Sequence, residues 1–374
     1  MKIKEVHAIP LYVKEGTGGW EDNLDQNMHT LLQVVTDEGI WGIGSVYTSL
    51  ALVEGSLKIL KHFLIGEDPT QPSRVTEKLN QVSFWQGRGG ALTHTISGID
   101  MALWDIAGKA AGLPVSKLLG GCYRNTVRPY GSILFDEPER LKEKLNIVLA
   151  KGFRSIKLGW DQFGHKSHEY DELLVKTARE TVGKDVELMV DAGGSKEFWP
   201  HGLKWALRTA RMLSEYDISW FEEPLNTDHM EDYVKLRELS PVPISCGEIL
   251  TRRQSFLPYI EKGAVDILQP DNTKCGGLSE TIKMAWYAYD HGIKVVCHGW
   301  NTAVGVAADL AFAAASPLTD RVEYMTPSPY IDGIMEQPFV LDADGNLPIP
   351  TEPGLGIRLN PDKIERMSGK KIEV

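Results

Sequence analysis

Seven positions in the second half of the sequence carry groups able to do chemistry at nearly regular intervals: Lys157, Asp191, Glu222 (followed by Glu223), Glu248, Asp271, His298 and Glu323. Each closes a short apolar run, and successive ones lie 23 to 34 residues apart, about one strand-plus-helix unit. A buried parallel strand is expected to be apolar throughout, so a charge at its end calls for a reason. Any one of these groups alone reads equally well as a solvated strand end. Seven in register do not.

Their types sort by chemistry. Asp191, Glu222 and Glu248 come from three successive runs and are hard oxygen ligands that repel one another unless a cation lies between them. A carboxylate-only set suits Mg²⁺, whereas zinc normally recruits His or Cys. Asp271 and His298 end the next two runs, placed for a carboxylate to orient an imidazole and raise its basicity. The pattern is that of one divalent ion facing one acid/base histidine.

The elements that must position these groups are also visible. From about residue 126, eight apolar runs alternate with helical segments at 137–151, 168–182, 201–215, 228–238, 252–262, 276–290 and 302–314. Eight strands with seven intervening helices predict a closed parallel barrel whose C-terminal mouth carries the site. Before it, alternation predicts three strands in IKEVHAIPLYV and HTLLQVVTDEGIWGIGSVY, then helices at 50–65, 70–83 and 93–112. After about 330 the chain is Pro- and Gly-rich and is expected to fold back on the N-terminal region. The division expected is a capping domain of 1–125 completed by 331–374, and a barrel of 126–330.

The chain of 374 residues has 42% hydrophobic and 24% charged residues, as in globular proteins. A formal net charge of -11, with both signs interspersed, argues against a nucleic-acid or anionic-membrane partner. Four cysteines, Cys122, Cys246, Cys275 and Cys297, include no CxxC pair and read as free thiols. With no signal-peptide core in MKIKEVHAIPLYV and no membrane-length apolar run, a cytoplasmic location is expected.

The ordered motifs IKLG, VDAG, WFEEP, CGE, QPDNTKCGG, CHGW and VEY resemble the enolase superfamily, and within it the mandelate racemase subgroup, over essentially the whole chain. The resemblance implies an α/β fold, a modified TIM barrel (β/α)7β under an α+β capping domain. It implies Mg²⁺ on Asp191, Glu222 and Glu248, and an octameric assembly. In that setting a divalent ion stabilises the enediolate formed when a proton leaves the carbon beside a carboxylate. Lys157 is expected to help at the same carboxylate, and Glu323, protonated by its acidic surroundings, to donate a hydrogen bond to it.

Many racemases and cycloisomerases of the subgroup carry KxK on the second barrel strand, the second lysine serving as a base opposite the histidine. This chain has Lys157-Leu158-Gly159. Inversion needs two bases, while elimination from one face needs one: His298 takes the α-proton and returns it to a departing β-hydroxyl. The arrangement is similar to that of rhamnonate dehydratases and favours a Mg²⁺-dependent acid sugar dehydratase acting on a five- or six-carbon monoacid or diacid. Lys157 itself reaching the α-carbon, or His165 or His168 bending in, would restore a second base, although a surface-loop role is the simpler reading of both histidines. Racemase, epimerase or cycloisomerase activity is the alternative. A silent sugar-acid or metal binder would need no base, so the Asp271–His298 pair counts against it.

Substrate recognition is expected from loops. The resemblance points to Trp20 and Asn23 in the capping loop, Tyr47, and Arg88. Trp160, Trp300 and Asn301 follow strand ends and could line a pocket for hydroxyls, with packing an equally good reading of the tryptophans.

Overall fold

A computed structural model describes residues 1–13, 28–370 and 372. The chain opens with an antiparallel sheet, β1 (Ile3–Leu11), β2 (His29–Thr36) and β3 (Trp41–Tyr47), in the order β1-β2-β3. Helices α1 (Leu50–Leu64), α2 (Pro72–Val82) and α3 (Gly90–Ala111) follow, then a short helix α4 (Val115–Leu118). Gly112, with φ 65°, caps α3 in the left-handed conformation expected just past a helix end.

Helix α3 is buried almost continuously from Thr95 to Gly108 because it is covered on two sides. Against the sheet, small residues let backbones meet: a Cβ on Gly44 would lie 1.8 Å from the Gly98 carbonyl oxygen, and one on Gly42 2.1 Å from that of Ala102. The other side carries a polar stripe. Ser97 Oγ accepts from the Gly276 N–H at 2.8 Å, Asp100 Oδ2 from the Ser279 N–H at 3.0 Å, and Trp104 Nε1 donates to Ser279 Oγ at 3.0 Å. The cap thereby grips the segment that starts at Asp271.

The barrel strands are β4 (Thr126–Leu134), β5 (Ser155–Gly159), β6 (Glu187–Asp191), β7 (Ile218–Glu222), β8 (Ile244–Cys246), β9 (Ile267–Leu268), β10 (Lys294–Val295) and β11 (Arg321–Met325). Between them run α5 (Pro138–Ala150), α6 (His168–Val182), α7 (Leu203–Glu215), α8 (Met230–Leu239), α9 (Arg253–Glu261), α10 (Leu278–Asp290) and α11 (Ala303–Ala315). This is the expected (β/α)7β order. All pairings are parallel, running β10-β9-β8-β7-β6-β5-β4-β11. Among the described residues β10 and β11 share no ladder; the Gly299 N–H instead donates to Glu323 Oε2 at 2.7 Å across that seam. Tyr130, Met189, Trp220, Ile267 and Val296 fill the barrel interior and form an apolar floor.

The tail returns to the N-terminal region, as expected. Leu355 N–H donates to Asp105 Oδ1, and Lys370 Nζ to the Ala8 carbonyl. Within it β12 (Leu347–Pro348) pairs antiparallel with the start of β4, and α12 (Pro361–Ser368) is a helix that the sequence reading did not name. Its signals are local: Asn360 caps the Lys363 N–H and Pro361 opens the first turn. Cys122 is exposed and the other three cysteines are buried, all as free thiols, and no described helix is long and apolar enough to cross a membrane.

Asp100 is fully buried, accepts from Thr76 Oγ1 at 2.6 Å and from Ser279 N–H, and is pushed up by burial to about 6 from its ordinary 3.8. A folded-state pKa above the unfolded one means the ionised form opposes folding. The penalty is complete above about pH 6, on the order of 3 kcal/mol, and fades as pH falls toward 4. Asp100→Asn removes this titration. In urea unfolding, its stability relative to wild type should improve by about 1 kcal/mol from pH 5 to pH 8. A difference that does not change with pH would contradict the assignment.

Candidate active site

Parallel pairing in register converts sequence spacing into adjacency. Lys157 and Gly159 on β5 pair with Met189 and Asp191 on β6, and Asp191 pairs with Glu222 on β7. Donor oxygens of Asp191, Glu222 and Glu248 consequently lie within 4.8 Å of one another, with Asp191 and Glu222 buried and Glu248 part-exposed. The set is purely carboxylate and fits a hard divalent cation better than zinc.

The cluster is held by named donors. Glu222 Oε1 accepts from Lys157 Nζ at 2.7 Å, while Oε2 accepts from Trp220 Nε1 at 3.1 Å and Gln269 Nε2 at 2.8 Å. Trp220 lies two residues before Glu222, on the same strand face. Asp191 Oδ1 accepts from the Gly193 N–H at 2.7 Å. Burial first, then Glu222, raises the Asp191 pKa against the opposing pull of Lys157. Glu223, held at an uncommon positive φ of 43°, accepts from the Gly247 N–H and is pushed to about 8 by burial and by Glu248.

Lys157 has its ammonium between three carboxylates, 2.7 Å from Glu222, 3.0 Å from Glu323 Oε1 and 3.2 Å from Asp191 Oδ2. Burial opposes its charge, but these neighbours outweigh burial and raise its pKa. The same contact corrects the expectation of a protonated Glu323. Burial works toward protonation, yet Lys157, then His298 and the Gly299 N–H, hold this carboxyl below its ordinary value, so it is an acceptor.

Opposite stands the dyad. Asp271 Oδ1 accepts from the Thr273 N–H and Oγ1 at 2.7 and 2.6 Å, and Oδ2 faces His298 Nδ1 at 2.8 Å. Burial alone would raise Asp271; Lys274 and His298 lower it, so it is ionised and the shared proton resides on Nδ1. That leaves His298 Nε2 facing the carboxylate cluster, 2.9 Å from Glu248 Oε2. Burial, the largest single influence, disfavours the imidazolium, but Glu248, Glu323 and the hydrogen bond to Asp271 together outweigh it and raise the His298 pKa.

The remaining expected residues scatter. Trp20 and Asn23 lie outside the described residues. Trp160 packs on Phe198 and Trp300, with centroids 5.2 and 5.5 Å away, and Trp300 Nε1 donates to Ser132 Oγ, so these rings make a wall. Asn301 is fully buried, its amide N–H donating to Asp309 Oδ2 of α11 at 3.5 Å. Arg88 is exposed, its carbonyl accepting from Thr251. His165 is exposed and His168 packs against Trp205, so neither joins the dyad. At Gly159 a Cβ would meet Leu134 Cδ2 at 3.0 Å. Sequence reasoning missed Lys274, Gln269, the buried His29 and the part-buried His94; QPDNTKCGG contains the first two, and the others lie in apolar cap elements with no spacing signal.

Residues 22–120 match the N-terminal domain of mandelate racemase and muconate lactonizing enzymes, and 140–363 match the enolase C-terminal domain-like family. The chain is 35% identical over 363 residues to a D-galactarolactone cycloisomerase of Agrobacterium fabrum, covering 91% of each. It is 33% identical over 347 residues to an arabinonate dehydratase of Saccharolobus solfataricus, covering 90% of each. The crystal structure of the 3,6-anhydro-D-galactonate cycloisomerase of Zobellia galactanivorans superposes with a TM-score of 0.89 at 30% identity, over 99% of this chain and 100% of that one. This chain belongs to the mandelate racemase/muconate lactonizing enzyme family of the enolase superfamily.

Proposed function

We propose that this chain is a Mg²⁺-dependent carbon–oxygen lyase that removes water from a five- or six-carbon acid sugar, giving a 2-keto-3-deoxy acid. The observation that carries the reading is the carboxylate triad beside a single Asp271–His298 dyad, with Gly159 where a second base would stand. Asp191, Glu222 and Glu248 would hold the ion, whose chemistry is to offset negative charge gathering on the substrate carboxylate. Lys157 donates to the same carboxylate. His298 Nε2 takes the α-proton while ionised Asp271 stabilises the imidazolium through Nδ1. The imidazolium then protonates the β-oxygen as its bond to carbon breaks, and the enol relaxes to the keto acid. Glu323 fixes the Gly299 backbone that follows the histidine.

A second reading is favoured by the cycloisomerase relatives at 35% and 30% identity. Elimination from a lactone or anhydro ring starts with the same proton transfer but keeps the β-oxygen tethered, so the product is an isomer. The common step is β-elimination beside a carboxylate.

With Mg²⁺ and a panel of D-galactonate, D-gluconate, D-arabinonate, D-xylonate and D-galactarolactone, mass spectrometry should find a keto acid lighter by one water for a dehydratase, or of unchanged mass for a cycloisomerase. His298→Asn should slow turnover by about a hundredfold to ten-thousandfold. Turnover near the wild-type rate in that variant, or after chelation, would contradict the mechanism. Independently of activity, Lys157→Met removes the cation among three carboxylates and should destabilise the fold by about 3–5 kcal/mol. Added MgCl₂ should raise the melting temperature of this variant more than that of wild type. Equal responses would show that lysine and ion do not share those carboxylates.

A further inference from the structure

Two buried lysines border the site, and they differ in how their donors are used. All three contacts of Lys157 Nζ lie between 2.7 and 3.2 Å. Lys274, only 5% exposed, has its nearest ion-pair partners among the described residues at 3.5 Å (Asp271 Oδ2) and 3.7 Å (Glu248 Oε1), beyond a good hydrogen bond. Its ammonium instead lies 4.2 Å over the ring of Tyr47, which comes from the cap. An ammonium carries three N–H groups, and burying them without acceptors is costly. An oxygen entering the mouth could approach this ammonium more closely than its ion-pair partners among the described residues do.

The position of Lys274 says which oxygen. Glu248 divides its carboxylate, Oε2 to His298 Nε2 and Oε1 toward Lys274, while Asp271 Oδ2 lies near both the imidazole and the ammonium. Lys274 and the histidine are therefore neighbours on one face. With two carboxylates and the face of an aromatic ring around it, the amine sits where an ammonium donor is favoured. Nearby His29 and His94 are held neutral, near 3 and 4, first by burial, with the Lys274 charge adding to the effect.

We propose that Lys274 donates hydrogen bonds to the β-oxygen of the substrate, the oxygen whose bond to carbon breaks, and that Tyr47 is a positioning residue acting through it. The inference rests on the one-faced elimination described above. In that step the α-C–H electron pair becomes the new C=C bond, the β-C–O pair goes to oxygen, and the His298 imidazolium supplies the proton. Lys274 stabilises the charge on that oxygen before the proton arrives, without giving up a proton of its own.

Binding tests the proposal separately from turnover. In a His298→Asn background with Mg²⁺, calorimetry should compare glycolate, which has no β-oxygen, with D-galactonate and D-arabinonate, which do. Adding Lys274→Met should weaken the longer acids about tenfold to a hundredfold and alter glycolate and Mg²⁺ affinity by less than about threefold. Lys274→Arg, which keeps a donor, should recover part of the loss. Equal weakening of glycolate and the longer acids, loss of Mg²⁺ binding with the substitution, no weakening at all, or an affinity of the His298→Asn parent for the longer acids no better than for glycolate would each overturn it. Failure of the lyase reading would appear instead as absent turnover of the panel.

Discussion

Asp191, Glu222 and Glu223 are buried together in one barrel mouth, and part-exposed Glu248 completes the group. Like charges a few ångströms apart repel by several kcal/mol even when the effective dielectric is well above that of dry protein. Much of the surrounding structure answers that repulsion. Lys157 lies among three carboxylates, the backbone N–H groups of Gly193 and Gly247 point at Asp191 and Glu223, and Trp220 and Gln269 fill the second oxygen of Glu222. A site assembled against its own electrostatics attracts cations, and the family to which the chain belongs is consistent with that property.

The dyad opposite obeys a different logic. Asp271 has one oxygen bound by its own turn and the other turned to the imidazole, so its orientation depends on the segment from 271 to 279. That segment is gripped by α3 through Ser97, Asp100 and Trp104. The cap thus bears on the geometry of the Asp271–His298 pair through side chains that hold the segment carrying Asp271. Because α3 packs glycine to backbone on the sheet, little slack separates the N-terminal strands from the dyad.

Much of this is legible in the sequence, for a physical reason. In a parallel barrel each strand end reaches the same rim, so one charged residue per unit at a steady interval becomes a ring of neighbours without any long-range knowledge. The triad and the dyad read correctly on that basis as a spatial grouping. What a linear pattern lacks is direction and distance beyond the strand. Asn301 follows His298 nearly as closely as Trp300 does, but its amide turns to α11 while Trp300 joins the aromatic wall. Counting acidic neighbours suggests a protonated Glu323, whereas the ammonium 3.0 Å away decides otherwise. Lys274 sits in a loop, where a lysine ordinarily reads as solvated, and only the fold encloses it beneath Tyr47.

Gly159 also bears on how readily such a site changes its chemistry. The absence of a side chain there reads first as a missing base, but the space beside it belongs partly to Leu134, whose Cδ2 lies 3.0 Å from where a Cβ would be. A lysine arriving at 159 would have to displace the end of that leucine before its amine could reach a substrate. The step from one-faced to two-faced proton transfer therefore couples two neighbouring strands. A side chain at 159 is thus a question for Leu134 as well as for the glycine.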